Sequence, residues 1–270
     1  MNNLQQKEFD LLKLFVEVCE KLGLRYYLVC GTALGAAKYG GFIPWDDDVD
    51  VALSREDYSI FCEKAQQFLP EWIFLQTYKT DQRYPCVFAK LRNSNTTYIE
   101  KTCKNISMNH GVYIDIFPLD GYPKTAKLQK KLERKKLIYK LQISSAYESN
   151  CSFKIKILRR FFRMIGVHKR THRILAKYEK LISAYPTETS EVWCNHGNWQ
   201  GRLEYAPRKQ YGNGVLMKFE DLEVHVPERY DEYLTQKYGD WKSDPPEDDQ
   251  VGHHYFSIMD LNNSYTQYMK

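Results

Sequence analysis

Four aspartates occupy five positions in Asp46-Asp47-Asp48-Val49-Asp50, directly ahead of the apolar run Val51-Ala52-Leu53. Residues two apart on a strand share a face, so Asp48 and Asp50 are expected to project together while Val49, Val51 and Leu53 turn to the core. Two parallel carboxylates repel, and burial worsens the repulsion because the charged forms lose water. A hard divalent cation relieves it, and an all-oxygen ligand set suits Mg²⁺ or Mn²⁺. Asp46 and Asp47 add negative field from the preceding turn. A solvated acidic turn before an edge strand is the ordinary origin of such a cluster. Aspartate is a poor strand former, however, and its alternation with valine argues for a built site.

Upstream, Gly31-Thr32 closes a β-rich run over residues 25–30 and precedes a small-residue helix over 33–38. Glycine lets backbone N–H groups approach a phosphate, and a helix N-terminus favours anions. The chemistry in view is metal-assisted handling of a phosphorylated ligand. The 14 glycines form no P-loop and no G-x-G-x-x-G, so neither that class of ATPase nor a Rossmann dehydrogenase is supported.

The elements that must hold these residues alternate along the first part of the chain. An amphipathic helix is expected over 4–22, a second over 55–68 capped by Ser54, and strands over 25–30, 48–53, 72–76, 86–92 and 111–117. A strand-poor basic stretch follows, then mixed structure with a helix over 228–238 ended by Gly239. The expected fold class is α+β, a mixed β-sheet core flanked by helices and carrying a basic helical insertion. The expected division is a catalytic core at 1–122, the insertion at 123–186, and a C-terminal segment at 187–270 that completes the catalytic unit.

Composition limits the remaining choices. With 270 residues, 43% hydrophobic and 27% charged, the chain can bury a core without disulfides or structural metal. No apolar run approaches the roughly 20 residues of a spanning helix, and the N-terminus lacks a secretory pattern. Seven cysteines without a C-x-x-C pair read as free thiols in a reducing cytoplasm. Residues 124–180 hold 18 Lys and Arg against 3 Glu, which leaves 21 basic and 31 acidic residues elsewhere. An acidic body with a basic segment implies cations at one part and an anionic surface at the other; a nucleic-acid partner is not expected.

The string Gly31-Thr32-Ala33-Leu34-Gly35, followed by Gly41-Phe42-Ile43-Pro44-Trp45-Asp46-Asp47-Asp48-Val49-Asp50, resembles the LicD family of the nucleotidyltransferase-fold superfamily. The likeness continues through Phe88-Ala89-Lys90-Leu91-Arg92 and Val112-Tyr113-Ile114-Asp115-Ile116-Phe117, and returns at Tyr238-Gly239-Asp240-Trp241. LicD-type enzymes transfer phosphocholine from CDP-choline to bacterial cell-surface glycans. The fukutin-type enzymes, which transfer ribitol phosphate from CDP-ribitol, are similar in this region. The resemblance implies a nucleotidyltransferase-like core, Mg²⁺ or Mn²⁺ dependence, a CDP-alcohol donor and a lipid-linked glycan acceptor. It also implies a third acidic ligand on a later strand, and Asp115 fits; alone, Asp115 reads as a strand-end carboxylate. Asp120 is a weaker candidate in turn-like sequence after Pro118.

Donor contacts are then expected from Gly31, Thr32, Lys38, Trp45, Lys90 and Arg92. Lys90 and Arg92 lie two apart and share a strand face, which can point to phosphates or to solvent. Choline would need aromatic faces, with Trp45, Tyr84, Trp193, Trp199, Trp241 and Tyr255 as candidates. Adjacent His253 and His254 would point opposite ways on a strand and make a poor chelating pair. Two rivals stay open: nucleotidyl transfer from an NTP, and a non-catalytic nucleotide-binding module at a membrane surface. Finally, residues 154–165 read as a basic amphipathic helix, with Leu158, Phe161, Phe162 and Ile165 on one side and Lys156, Arg159, Arg160 and Arg163 flanking the other. Such a helix suits peripheral binding at an anionic inner membrane face, and equally a solvated face packed on the protein itself or direct contact with an anionic acceptor.

Overall fold

In a computed structural model, residues 1–148, 152–197, 201–252 and 255–269 are described. Helix α1 (Asn3–Leu22) begins at a reciprocal cap, in which Asn2 accepts from the Gln5 N–H and the Gln5 side chain accepts from the Asn2 N–H. Its apolar stripe, including Phe9, Leu12 and Phe15, is buried in the main core. There follow β1 (Tyr26–Leu28), α2 (Cys30–Tyr39), β2 (Asp50–Ser54), α3 (Arg55–Lys64), β3 (Ile73–Gln76), β4 (Ala89–Asn93), β5 (Thr97–Glu100) and β6 (Val112–Gly121). The basic segment forms α4 (Ala126–Ile143), α5 (Phe153–Met164) and α6 (Thr171–Ile182). The chain closes with β7 (Val192–Cys194), β8 (Tyr205–Pro207), α7 (Arg208–Tyr211), β9 (Val215–Phe219), β10 (Leu222–Val226), α8 (Tyr230–Tyr238) and β11 (Phe256–Asp260).

The principal sheet runs β1-β2-β6-β4-β3, with β7 and β8 continuing from the far end of β6. Strand β2 is parallel to β6, whereas β1 and β4 are antiparallel to their neighbours, so the sheet is mixed. β9 pairs with β10 and β11 with β5 in two small ribbons. This is the expected α+β architecture.

Several local expectations change. Strand β2 starts at Asp50 rather than at residue 48, because pairing begins where the Val49 carbonyl accepts from the Asp115 N–H. Val51, Ala52 and Leu53 are all fully buried, so β2 is covered on both faces and the expected half-buried alternation does not hold. Gly31-Thr32 is not a turn before a helix; it is the first turn of α2, which starts at Cys30. Asp120 does not lie in a turn either, since β6 continues to Gly121 with all its residues buried. Its carboxylate takes two bonds from Arg55, at 2.6 and 2.8 Å.

The basic helices are docked onto the core. Tyr78 and Val87 pack with Ile143, Leu175, Tyr178 and Ile182 in one apolar cluster, and Arg55 also reaches Glu179 of α6 at 3.4 Å. Cys19, Cys30, Cys62, Cys86, Cys103 and Cys194 are free thiols. Among the described residues, no helix is long and apolar enough to cross a membrane. Trp199, His253 and His254 lie outside the described residues.

Candidate active site

Strand register brings three charged side chains into one row. Asp50 of β2 stands opposite Asp115 of β6, and Lys90 of β4 stands opposite Asp115 from the other side. Neighbours in register share a face. The Lys90 Nζ lies 2.8 Å from Asp115 Oδ1 and 3.3 Å from the Tyr113 ring centroid. Burial works to lower the Lys90 pKa, but Asp115 and Glu100 outweigh it and hold the ammonium above its ordinary value. The Asp50 N–H donates to Thr32 Oγ1 at 2.8 Å, so the first turn of α2 sets where the carboxylate row begins. At the head of that turn, Cys30 takes φ 53°, a conformation that non-glycine residues adopt only when their surroundings impose it. The Tyr233 hydroxyl of α8 accepts its N–H at 3.1 Å.

The acidic loop approaches this row from the other side. Asp46, Asp47 and Asp48 each offer an oxygen within 4.8 Å of the others. The Asp46 carboxyl is pushed up to about 8, first by burial and then by Asp48 and Asp47. Carboxylates held this close without neutralisation resist ionising together, and a hard cation removes that resistance. The donor set fits a divalent metal on this ground. The loop is pinned from a distance: Gln5 of α1 donates its side-chain amide to the carbonyls of Ile43 at 3.3 Å and Asp46 at 3.0 Å. Gly31 makes room for it, since a Cβ there would stand 2.9 Å from Asp46 Oδ2. Gly252 brings the tail equally close, where a Cβ would meet Asp47 Oδ2 at 2.5 Å.

A cavity of about 550 Å³ takes in Gly31, Asp46, Asp48, Asp50, Lys90 and Asp115. Asp48 and Asp50 therefore meet one space although only Asp50 is on the strand. The opposite chemistry comes from aromatic rings: Tyr84, Phe88, Phe117, Tyr147, Tyr178 and Tyr238 also line it. Tyr178 comes from α6 and Lys140 from α4, so the basic segment supplies a wall. Burial, reinforced by Lys136, lowers the Lys140 pKa to about 8.

Other expected contacts lie elsewhere. Lys38 sits seven residues beyond Gly31, which is about 10 Å along a helix, and pairs with Asp244 at 2.6 Å. Trp45 is half-buried against Tyr39. Thr32 is buried, with its oxygen accepting from Asp50. Arg92 shares the β4 face with Lys90 but lies a full pleat farther along. Its guanidinium is fully buried, donating to Gln76 at 2.5 Å and to the Gly111 carbonyl at 2.7 Å. Of the aromatic candidates among the described residues, only Tyr84 lines the cavity; Trp193 and Trp241 are core residues and Tyr255 is exposed. Gln5, Lys140, Tyr147 and Tyr178 were not anticipated. The Asn2–Gln5 spacing signals a helix cap but not its reach to the acidic loop, and no local pattern marks the other three.

A family model described as LicD/FKTN/FKRP, nucleotidyltransferase domain, matches residues 23–139. The lipopolysaccharide cholinephosphotransferase LicD of Haemophilus influenzae is 30% identical over 254 residues, covering 91% of this chain and 92% of that protein. The chain belongs to the LicD family. It is accordingly a transferase. The ribitol 5-phosphate transferase FKRP of mouse and of human is 52% identical over 42 residues, 16% of this chain and 8% of each of those proteins. The LicD-family match spans the cavity residues Asp46, Asp48, Asp50, Lys90 and Asp115 and stops inside α4, so α5 and α6 lie beyond it.

Proposed function

We propose that this LicD-family transferase moves a phospho-alcohol, phosphocholine above all, from a CDP-linked donor to a hydroxyl of a cell-surface glycan precursor such as teichoic acid, releasing CMP. The observation that carries the reading is a single cavity with clustered carboxylates and aromatic walls. A CDP-alcohol is an anionic pyrophosphate with a small head group, and it needs both.

In this reading Asp48, Asp50 and Asp115 would hold one or two Mg²⁺ or Mn²⁺, with Asp46 beside them in the cavity and Asp47 adjoining in the same acidic loop. A divalent cation held there would supply charge neutralisation for the phosphoryl transfer. The acceptor oxygen bonds to the phosphorus that bears the alcohol, the bond from that phosphorus to the CMP oxygen breaks, and CMP leaves. Asp115 takes the hydroxyl proton, its position fixed by Lys90 at 2.8 Å. Gly31, at the first turn of α2, and Lys140 face the donor phosphates. Tyr84, Phe88, Tyr147 and Tyr178 offer ring faces to a quaternary ammonium, each contact contributing about 0.5–2 kcal/mol. Thr32 and Arg92 act by holding the frame, and Lys38 and Trp45 take no part. The acceptor is lipid-linked and is met at the inner face of an anionic membrane, which the basic segment favours and the lipopolysaccharide acceptor in the name of the Haemophilus influenzae relative supports.

The test is incubation with CDP-choline, CDP-ribitol and CDP-glycerol plus Mg²⁺, with and without extracted glycolipid, measuring CMP. The expected result is acceptor-dependent CMP release, greatest with CDP-choline and abolished by EDTA. Pyrophosphate release from CTP, with no CMP from any CDP-alcohol, would overturn the reading in favour of nucleotidyl transfer.

A further inference from the structure

Helix α5 faces the opposite way from an ordinary surface helix. Two of its arginines bond the protein's own backbone: Arg159 is buried and donates to the Tyr147 carbonyl, and Arg163, though exposed, donates from Nε to the Ser145 carbonyl at 2.7 Å. Leu158 and Phe162, expected on its apolar stripe, are only half-buried. Outward point Phe153, Ile157, Phe161 and Met164, which are 77%, 55%, 48% and 78% exposed. Their spacing of i, i+4, i+8 and i+11 keeps them within about 80° of the helix circumference at 100° per residue. Lys154, Lys156 and Arg160 are exposed on the same helix, and Lys169 and Arg170 just after it.

We infer that α5 is an interfacial anchor, lying in the plane of an anionic bilayer with Phe153, Ile157, Phe161 and Met164 immersed. This deepens the membrane placement proposed above and rests on it. Charge complementarity selects the occupant. The stripe is bordered by cations, and residues 124–180 hold 18 Lys and Arg against 3 Glu, whereas the rest of the chain is net acidic and is repelled by the same surface. An anionic lipid interface accepts both the hydrocarbon and its basic border. These two arginines explain how such a helix is held: hydrogen bonds to the carbonyls of Tyr147 and Ser145 replace apolar packing it would otherwise need. They also couple the anchor to the cavity, because Tyr147 grips Arg159 with its carbonyl and lines the cavity. A lipid-linked acceptor would thus be met one residue away from the anchor.

The experiment is flotation of the full chain with phosphatidylglycerol–phosphatidylcholine vesicles and with phosphatidylcholine vesicles alone. The wild type is expected to float with the anionic vesicles only. Phe153→Ser/Phe161→Ser/Met164→Ser and, separately, Lys154→Glu/Lys156→Glu/Arg160→Glu should each weaken partition by at least ~10-fold. These positions are solvent-exposed, so folding is kept, and circular dichroism checks it. If the serine variant floats like the wild type, another surface carries binding and the α5 inference falls while the membrane placement stands. If the wild type never floats, both fall. A wild-type oligomer that the serine variant converts to a monomer in light scattering, without lipid binding, would make the stripe a self-association surface and overturn the proposal. CMP release with a soluble acceptor reads the reaction independently of all three.

Discussion

Two regions of this molecule reverse the usual partition of polar and apolar groups, and in opposite senses. At the start of β2 and along β6 and β4 the chain buries charge: Asp50, Lys90, Arg92 and Asp115 are all nine-tenths or more inaccessible. Along α5 it exposes hydrocarbon while tucking Arg159 inside. Buried charge is costly unless paired or ligated, and exposed hydrocarbon is costly unless covered. In the sheet the pairs are partly internal, since Lys90 meets Asp115, while Asp46, Asp47 and Asp48 crowd within 4.8 Å of one another in the adjoining loop. On α5 the apolar stripe is exposed among the described residues. On the two proposals above, each reversal marks a place completed by something outside the chain, a cation and anionic donor in one and a lipid surface in the other.

The comparison breaks most sharply at the carboxylates. Asp48→Asn and Asp50→Asn keep shape and hydrogen-bonding capacity but remove charge, so the fold should persist. Turnover should fall at least ~100-fold, the scale of losing a principal electrostatic contribution to the transition state. CMP release under saturating donor, with circular dichroism as the folding control, measures this. Wild-type turnover in either variant would place the metal elsewhere.

How far each region was legible follows from the range of the interactions that make it. Asp48 and Asp50 stood out because a two-residue repeat is local. Asp115 entered only through the family resemblance, since its place beside Asp50 depends on the pairing of strands more than sixty residues apart in sequence. The periodicity of α5 announced an apolar face at Leu158, Phe161, Phe162 and Ile165, yet it could not say that Arg159 and Arg163 would bond the carbonyls of Tyr147 and Ser145, leaving Leu158 and Phe162 half-buried and Phe153, Ile157, Phe161 and Met164 exposed. Lys140, Tyr147 and Tyr178 reach the cavity because α4 and α6 dock on Tyr78 and Val87, and no local pattern encodes a docking. Lys90 and Arg92 show the limit from the other side: one strand face and equal charge, but one side chain at the cavity and one locked in the sheet.

That last pair supplies a second test. Arg92→Leu should leave Gln76, the Gly111 carbonyl and Glu100 without their shared donor. Unsatisfied buried groups cost about 1–3 kcal/mol, so urea denaturation should show a loss of that size, with kcat for the folded fraction close to wild type. Lys90→Met should do the reverse, lowering kcat by ~10-fold or more through a misplaced Asp115, with a smaller shift of the pH profile if Asp115 only binds metal. Equal kinetic loss in both variants would mean that the sheet and cavity respond as one unit.

The smallest expected effect is on acid stability, and it extends the buried-charge side of the comparison to groups kept neutral. His110 and His196 are buried, and burial holds both imidazoles below their ordinary pKa; for His196, Lys136, Lys140 and Arg55 add to the depression. A group whose folded pKa lies below its unfolded value binds its proton in the unfolded chain first. Its contribution is present above the unfolded pKa of about 6.5 and is lost as pH falls toward the folded value, by at most about 1.4 kcal/mol per pH unit for each histidine. Asp46, held up to about 8, acts in the opposite sense across the same window, because the folded chain keeps its proton there while the unfolded chain releases it. The informative quantity is thus the difference between wild type and His110→Gln or His196→Gln, from urea denaturation at several values between pH 7.5 and pH 5. The wild type should lose stability relative to each variant as pH falls below about 6.5. A difference that stays flat across that range would mean that the imidazoles acquire their protons in the folded chain as easily as in the unfolded one, and that burial at these two positions carries no charge penalty.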